Sequence, residues 1–597
     1  MNISNFIHKL EQVIADTLFR NLVDGKAMLA CSGCLVLAVV SFASRAQTVT
    51  ADFGGRSGST GTIPAGFFAV GGTGDSLTDP GGITTLTSAG LTGTRFWIGL
   101  QQVYATSTPN FTVLDSELQI ISASGLHPIA VIYDTPASLG ASKCAPPSSV
   151  SRWGEMAASV VAHTDQDFPG LLQDYEIWNE AELATSLCIS DYNTRLNTYV
   201  SLFAAAASAM HAQAKADGQA IRTAPAPMAE LNMAPYWLPA LLNNQATAQY
   251  VDFVSFHLYP SGQNELDEGM DWPQLYGLTQ SNTRGVAFYY QMIELLVRAG
   301  QQPNAETTPI FITEYNENWA FAVDCCRNNP TYGPLWNSLA IADLLNVVYS
   351  GPSAGPSLIA YFNSEGRYFC LFGEWDSDMD CDQSQLYPYP QFYAFQMFAS
   401  PHYLNLANGG NMAVAVSPAS TESGLSATAF YTEEADDIVV INPTASAYGA
   451  VTVVLVNPGL MSITGEMYLL NSSNSQISSK SITFSPSLGM YSATVSVPAY
   501  STVALSMKGS PLGGAPKAVL TVTRETKPLA VFVDSSKSQC GGSAIVGRTI
   551  DFGDGTWMNW KPSITHIYDK AGSYAIVLRV RNQAGQLSTA RSIVNVR

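Results

Sequence analysis

The chain has 597 residues, 46% hydrophobic and 13% charged, a balance that supplies cores for about two to four domains and excludes a disordered or low-complexity chain. Its formal charge is −19, with no Lys/Arg cluster, so nucleic acid is excluded as a partner by long-range repulsion and a neutral ligand fits better.

Residues 1–46 carry four Lys/Arg and three Asp/Glu, a net of +1, which leaves −20 on the remainder. Within them "GKAMLACSGCLVLAVVSFASRAQ" places Lys26 before an apolar run from Ala27 to Phe42, then Ser44-Arg45-Ala46. Small residues three and one positions before a cleavage point after Ala46 make 1–46 a secretory signal peptide. An uncleaved anchor is the alternative, but about 16 apolar residues fall short of the roughly 20 that a bilayer span needs. A secreted, periplasmic or cell-surface location follows, with no membrane contact after cleavage. The cysteines beyond it are Cys144, Cys188, Cys325, Cys326, Cys370, Cys381 and Cys540. Their spacing lacks metal-ligand pairs, so disulfides are expected, with Cys370–Cys381 the first candidate and Cys144–Cys188 the second.

From about 63 to 400, eight short apolar runs alternate with helical stretches. The runs are "IPAGFFAVG", "GTRFWIGL", "HPIAVIYD", "LQDYEIWNE", "IRTAPAP", "VDFVSFHLYP", "TPIFITEYN" and "SLIAYFNS". Between them, "TRLNTYVSLFAAAASAMHAQAKA" and "VAFYYQMIELLVRAG" repeat apolar residues at three- and four-residue spacing. The fold class is α/β: a (β/α)₈ TIM barrel over 47–403. A doubly wound open sheet is the rival, but no Gly-rich dinucleotide fingerprint follows the first run. Residues 404–508 change to strands only and read as an adjoining β-sandwich, which "TVTADFGG" at 48–55 is expected to join. A Gly/Pro linker at 509–518 leads to a last all-β unit, 519–597.

In a barrel of this kind, catalytic groups stand at the C-terminal ends of strands. Glu180 ends the fourth run and Glu314 lies near the end of the seventh. Two carboxylates at one barrel face suit glycosidic cleavage, one as acid and the other as nucleophile or base. Glu317 is the competing candidate to Glu314, while Glu176 and Glu182 read as structural or exposed.

"IWNE", "ITEYN", "SFHLYP" and "TRFW" together resemble the clan A retaining glycoside hydrolases, the 4/7 superfamily, over roughly residues 48–508. Glycoside hydrolase family 39 is nearest in texture, ahead of family 5. The resemblance implies Glu180 as acid/base, Glu314 as nucleophile, Asn179 as partner of a sugar 2-hydroxyl and Tyr259 as donor to the nucleophile. Arg95 is suited to keep Glu314 ionised, and His257 is expected on the same wall. Trp97, Trp178, Trp237, Trp319 and Trp375 lie near strand ends or in loops, where an indole can stack on a sugar; Trp178 and Trp319 are the chosen platforms. No metal or other cofactor is indicated.

"DFGDGT" and "HIYDKAGSYAIVLRV" resemble a PKD domain, an Ig-like β-sandwich. Asp551 and Asp554 there read as turn-stabilising, because a calcium site would need more ligands. The module is expected to contact polysaccharide or a cell surface. Against the enzyme stands a noncatalytic carbohydrate-binding or adhesive surface protein, which would have no reason to keep two carboxylates together.

Overall fold

The computed structural model describes residues 47–596 apart from 54–62, 65, 72–79, 264–269, 320–328, 348–354, 364–370, 372–373, 376–380, 383–387, 409–410, 413–414, 418–423, 433–434, 457–459, 462–463, 473–475, 488–489, 509, 512–515, 541–544, 560 and 583–586. The proposed signal peptide therefore lies outside the described residues. No helix among those described is long and apolar enough to cross a membrane.

Eight parallel strands form the barrel: Phe68–Gly71, Gly93–Gly99, His127–Tyr133, Asp174–Ile177, Arg222–Pro225, Val254–Leu258, Ile310–Tyr315 and Leu358–Phe362. Each falls within one of the eight apolar runs. Sequential neighbours pair, the eighth returns to the first, and the fifth and sixth close the ring through a parallel bridge between Met228 and Phe256. Side chains alternate between barrel interior and helix layer. Ala69, Ile129, Ala224, Phe253, Phe311, Leu358 and Ala360 fill the interior as one apolar cluster. Their neighbours, such as Phe68, Ala130 and Ile312, join the larger core beneath the helices. In helix Val286–Arg298 the buried residues Val286, Tyr289, Tyr290, Ile293, Leu296 and Val297 form one stripe. Helix Tyr192–Ala216 is started by Asp191, whose carboxylate accepts the Thr194 amide at 2.8 Å.

The sandwich has a five-stranded and a six-stranded sheet. Gln47–Asp52 runs parallel to Tyr448–Val456 in the first of these, so the start of the described chain belongs to the sandwich. In Ala435–Asn442 of the six-stranded sheet, Ile438 and Val440 face the sandwich core, while Val439 and Ile441 join the barrel's helix-layer core. Burial on both faces explains why this strand reads as a continuous apolar run rather than an alternation. Trp272 donates its indole N–H to the Pro443 carbonyl at 2.7 Å across the same junction.

Two sheets enclose the C-terminal module's core of Val531, Val533, Ile550, Phe552, Tyr568, Ile576, Leu578 and Val580. Asp551 accepts the Gly553 amide at 2.9 Å and Asp554 accepts the Thr556 amide at 3.0 Å, so both carboxylates hold the turn between strands. Cys144 and Cys188 form a disulfide joining the loops after the third and fourth barrel strands. The side chain of Cys381, and the whole of Cys370 and of Cys325-Cys326, lie outside the described residues.

Candidate active site

Two backbone irregularities bring the carboxylates together. After the fourth barrel strand the chain turns through Trp178 (φ 73°) and Glu180 (φ 47°), left-handed conformations that non-glycine residues adopt at some strain. The Glu180 amide donates to the Pro227 carbonyl at 3.1 Å, tying this turn to the loop after the fifth strand. In the seventh strand the register slips: Phe256 pairs with Ile312, but His257 pairs with Glu314. One extra residue, Thr313, forms a β-bulge. Strict alternation from Ile312, which faces the helices, would send Glu314 the same way; the bulge turns it to the interior beside His257.

The buried Arg95 guanidinium organises the floor. Its Nε donates to Glu176 at 2.7 Å, one Nη to Glu314 at 2.7 Å and the other to Asn179 at 2.8 Å. Tyr259 donates its hydroxyl to the second Glu314 oxygen at 2.7 Å. Glu314 is thus buried, held by a cation on one oxygen and a phenol on the other, which fixes the orientation of its carboxyl group. Burial, with the Glu314 charge and hydrogen bond added to it, pushes Tyr259 well above the ordinary phenol range, so it remains the donor.

Glu180 is partly exposed, and its Oε1 lies 2.7 Å from His257 Nδ1; the same nitrogen is 3.4 Å from Glu314. Ligating atoms of Glu180, His257 and Glu314 all lie within 4.8 Å of one another. Burial alone would lower the His257 pKa, but the charges of Glu314 and Glu180 outweigh it and hold it above the usual imidazole value. Glu182 is buried beside the acid candidate. One of its oxygens accepts the Ala229 and Glu230 amides, and burial followed by the Glu180 charge raises its pKa to about 8.

The structure brings Arg95, Asn179, Glu180, His257, Tyr259 and Glu314 into one contact network. Trp178 is not an open platform: it is buried, tilted against Trp153, and donates its indole N–H to the Ser186 carbonyl. The left-handed turn directs its ring under the loop. Trp237 is fully buried between Tyr192 and Tyr199. Trp319 is 51% exposed, and its N–H donates to the Gly262 carbonyl at 2.6 Å, which ties the ring to the loop after the sixth strand. Trp97 stands over Arg95, with its ring centroid 4.8 Å from the guanidinium carbon. The Trp375 side chain lies outside the described residues.

Glu176 joins this network, to which sequence reasoning did not assign it: it is fully buried and shares Arg95 with Glu314. The available signal was a charge in the interior-facing register of "DYEI". Asp134 lies at the end of the third strand, where its carboxylate accepts the Gln101 amide at 2.6 Å. Burial, opposed by the Gln101 amide that it accepts, raises it to about 6.

Residues 514–596 match the family model described as PKD domain. The curated proteins contain no match. Among solved structures, the fold is similar to the GH39 enzyme from Xanthomonas axonopodis pv. citri, with TM-score 0.56 and 12% identity over 79% of this chain and 100% of that one. A GH39 β-xylosidase from Caulobacter crescentus gives 0.55 and 14% over 78% and 100%. A bacterial orthologue of human α-L-iduronidase gives 0.54 and 12% over 92% and 100%. These likenesses show a TIM-barrel fold, followed here by the segment that matches the PKD-domain model.

Proposed function

We propose that this chain is a retaining glycoside hydrolase that cleaves β-glycosidic bonds of oligo- or polysaccharides through a covalent glycosyl-enzyme. The observation that carries the reading is the pair Glu180 and Glu314, with ligating oxygens within 4.8 Å of each other. A carboxyl separation of about 5–5.5 Å suits direct attack, whereas inversion needs about 6.5–9.5 Å to admit a water.

Glu314 is the nucleophile. Arg95 and Tyr259 hold its two oxygens, so it meets the anomeric carbon with its orientation set. Glu180, more open to solvent, protonates the leaving oxygen and later deprotonates the water that releases the sugar. His257 touches both carboxylates and is placed to share a proton with Glu180 between the two steps. Asn179, held by Arg95, presents its amide toward the 2-hydroxyl, and Trp319 offers an exposed indole to a neighbouring sugar. Similarity to the β-xylosidase from Caulobacter crescentus supports β-linked substrates, β-xylosides among them. The apolar segment in 1–46 and the Cys144–Cys188 disulfide support an exported protein.

Two variants test the assignment. Glu314→Gln is expected to abolish turnover of aryl β-glycosides, because no glycosyl-enzyme forms. Glu180→Ala is expected to accumulate that intermediate with an activated leaving group, and azide should restore turnover with a β-azide product. An α-azide product, or equal rescue of the Glu314 variant, refutes the assignment.

A further inference from the structure

Charge is segregated along this chain. Residues 47–518 carry 14 Lys/Arg and 39 Asp/Glu, a net of −25, whereas residues 519–597 carry ten Lys/Arg and five Asp/Glu, a net of +5. The C-terminal module also holds Phe532, Trp557, Ile567 and Ile593, four of the eight large apolar side chains that stand exposed among the described residues.

Positive charge and two of these side chains, Trp557 and Ile593, coincide on one sheet. Trp557–Asn559, Ile545–Asp551, Gly572–Asn582 and Leu587–Val596 form its four strands. Ile550 and Leu578 face the module's core, so the alternate register positions face outward. There, one cross-strand row begins at Trp557 and ends at Arg591, and the next runs from Asn559 through Arg579 to Thr589. Ile593 stands on the same face, 66% exposed. The acid in these rows, Asp551, already accepts the Gly553 amide. At the far end of the sheet Leu587 packs against the sandwich core, which leaves the end with Trp557 and Ile593 open. The opposite sheet has no such mixture: Phe532 is flanked across the strands by Thr523 and Thr565.

We propose that the outward face of this four-stranded sheet binds a polysaccharide that carries carboxylates. Arg579 and Arg591 match carboxylate groups spaced along a chain, since a guanidinium pairs with a carboxylate through two parallel hydrogen bonds. Trp557 offers an apolar ring to a sugar face, and Asn559 and Thr589 supply the donors and acceptors that vicinal hydroxyls need. The electrostatics favour this occupant. A polymer with regularly spaced anions is repelled by the −25 of the barrel and sandwich, and the module is the part of the chain whose charge attracts it. The barrel is then held at an acidic matrix while its own site remains free for a neutral glycan. The proposal stands whether or not the barrel cleaves glycosides.

The test reads binding in full-length Glu314→Gln protein, so turnover plays no part. Migration is followed through native gels containing polygalacturonate or neutral hydroxyethyl cellulose. Polygalacturonate should retard the protein, less so as salt rises, and Arg579→Gln/Arg591→Gln should weaken that retention about tenfold. Lys527→Gln/Lys570→Gln, which removes the same charge from exposed positions elsewhere on the module, should bind as before. Trp557→Ala should also weaken retention, and it keeps the test decisive if the arginine variant melts early. No retention by polygalacturonate, equal retention by the neutral polymer, or equal loss in the lysine control overturns the proposal. So does sedimentation showing a dimer that the arginine changes dissolve, which would make a second copy the occupant.

Discussion

Replacing Arg95 with methionine should destabilise the barrel in a strongly pH-dependent way. The guanidinium is fully buried and bonds Glu176 and Glu314 at 2.7 Å each. Methionine fills similar volume but leaves two buried carboxylates without a cation. Breaking a buried pair by removing one partner costs about 3–5 kcal/mol, which for a unit of this size lowers Tm by roughly 3–5 °C. In the variant, Glu176 and Glu314 regain neutrality by holding protons, so their folded pKa values rise above the unfolded value of about 4.5. The folded state then binds more protons than the unfolded one, and stability falls as pH rises through and above that value. The gap from wild type should be small near pH 4 and largest at neutral pH. Thermal melts followed by circular dichroism from pH 4 to 8 measure it, and Glu176→Gln added to the variant should recover part of the loss. A Tm within 2 °C of wild type at pH 7, or a gap that does not change with pH, would refute the reasoning.

Glu182→Gln should raise Tm at pH 8 and leave it nearly unchanged at pH 4. The folded pKa of about 8 lies above the unfolded value, so wild-type stability is lost from about pH 4.5 upward, by up to about 5 kcal/mol at pH 8; a lower Tm at pH 8 would count against this. In Gly262→Ala the new Cβ would meet the Trp319 ring at 2.1 Å, so the indole must move. KM for oligosaccharides should rise while aryl monoglycoside kinetics stay the same, and steady-state assays on both substrates check that split. Cys144→Ser/Cys188→Ser releases a cross-link spanning 44 residues, with an entropic loss of about 4 kcal/mol by the loop-closure relation; denaturant titration that shows no loss would place the two loops in contact without the bond.

Much of the barrel was legible because buried parallel strands must be apolar and their helices must carry an apolar stripe, patterns that survive in one dimension. The eight runs mark the eight strands for that reason. The carboxylates were legible by their type: Glu180 and Glu314 each follow residues too apolar to leave a charge there without a use. Glu176 was harder to read, because its partner Arg95 lies 81 positions away and a lone charge in a strand does not name what neutralises it. Trp178 was misread as a platform because position next to Asn179 does not reveal which way a ring points. That direction follows from the left-handed turn and from the Ser186 carbonyl that receives its N–H.

The chain's residue order by itself determines that a carboxylate arrives at the ends of the fourth and seventh strands, since alternating apolar runs and helical stripes permit few other arrangements. Whether those carboxylates meet is decided by tertiary structure. Simple alternation from Ile312 sends Glu314 toward the helices. Only when His257 pairs with Glu314 and Ile312 with Phe256 is Thr313 left over as a bulge, and the nucleophile candidate turns inward to Arg95 and Tyr259. The physical reason is that register belongs to hydrogen bonds between strands more than fifty residues apart, and no local pattern in either strand records it.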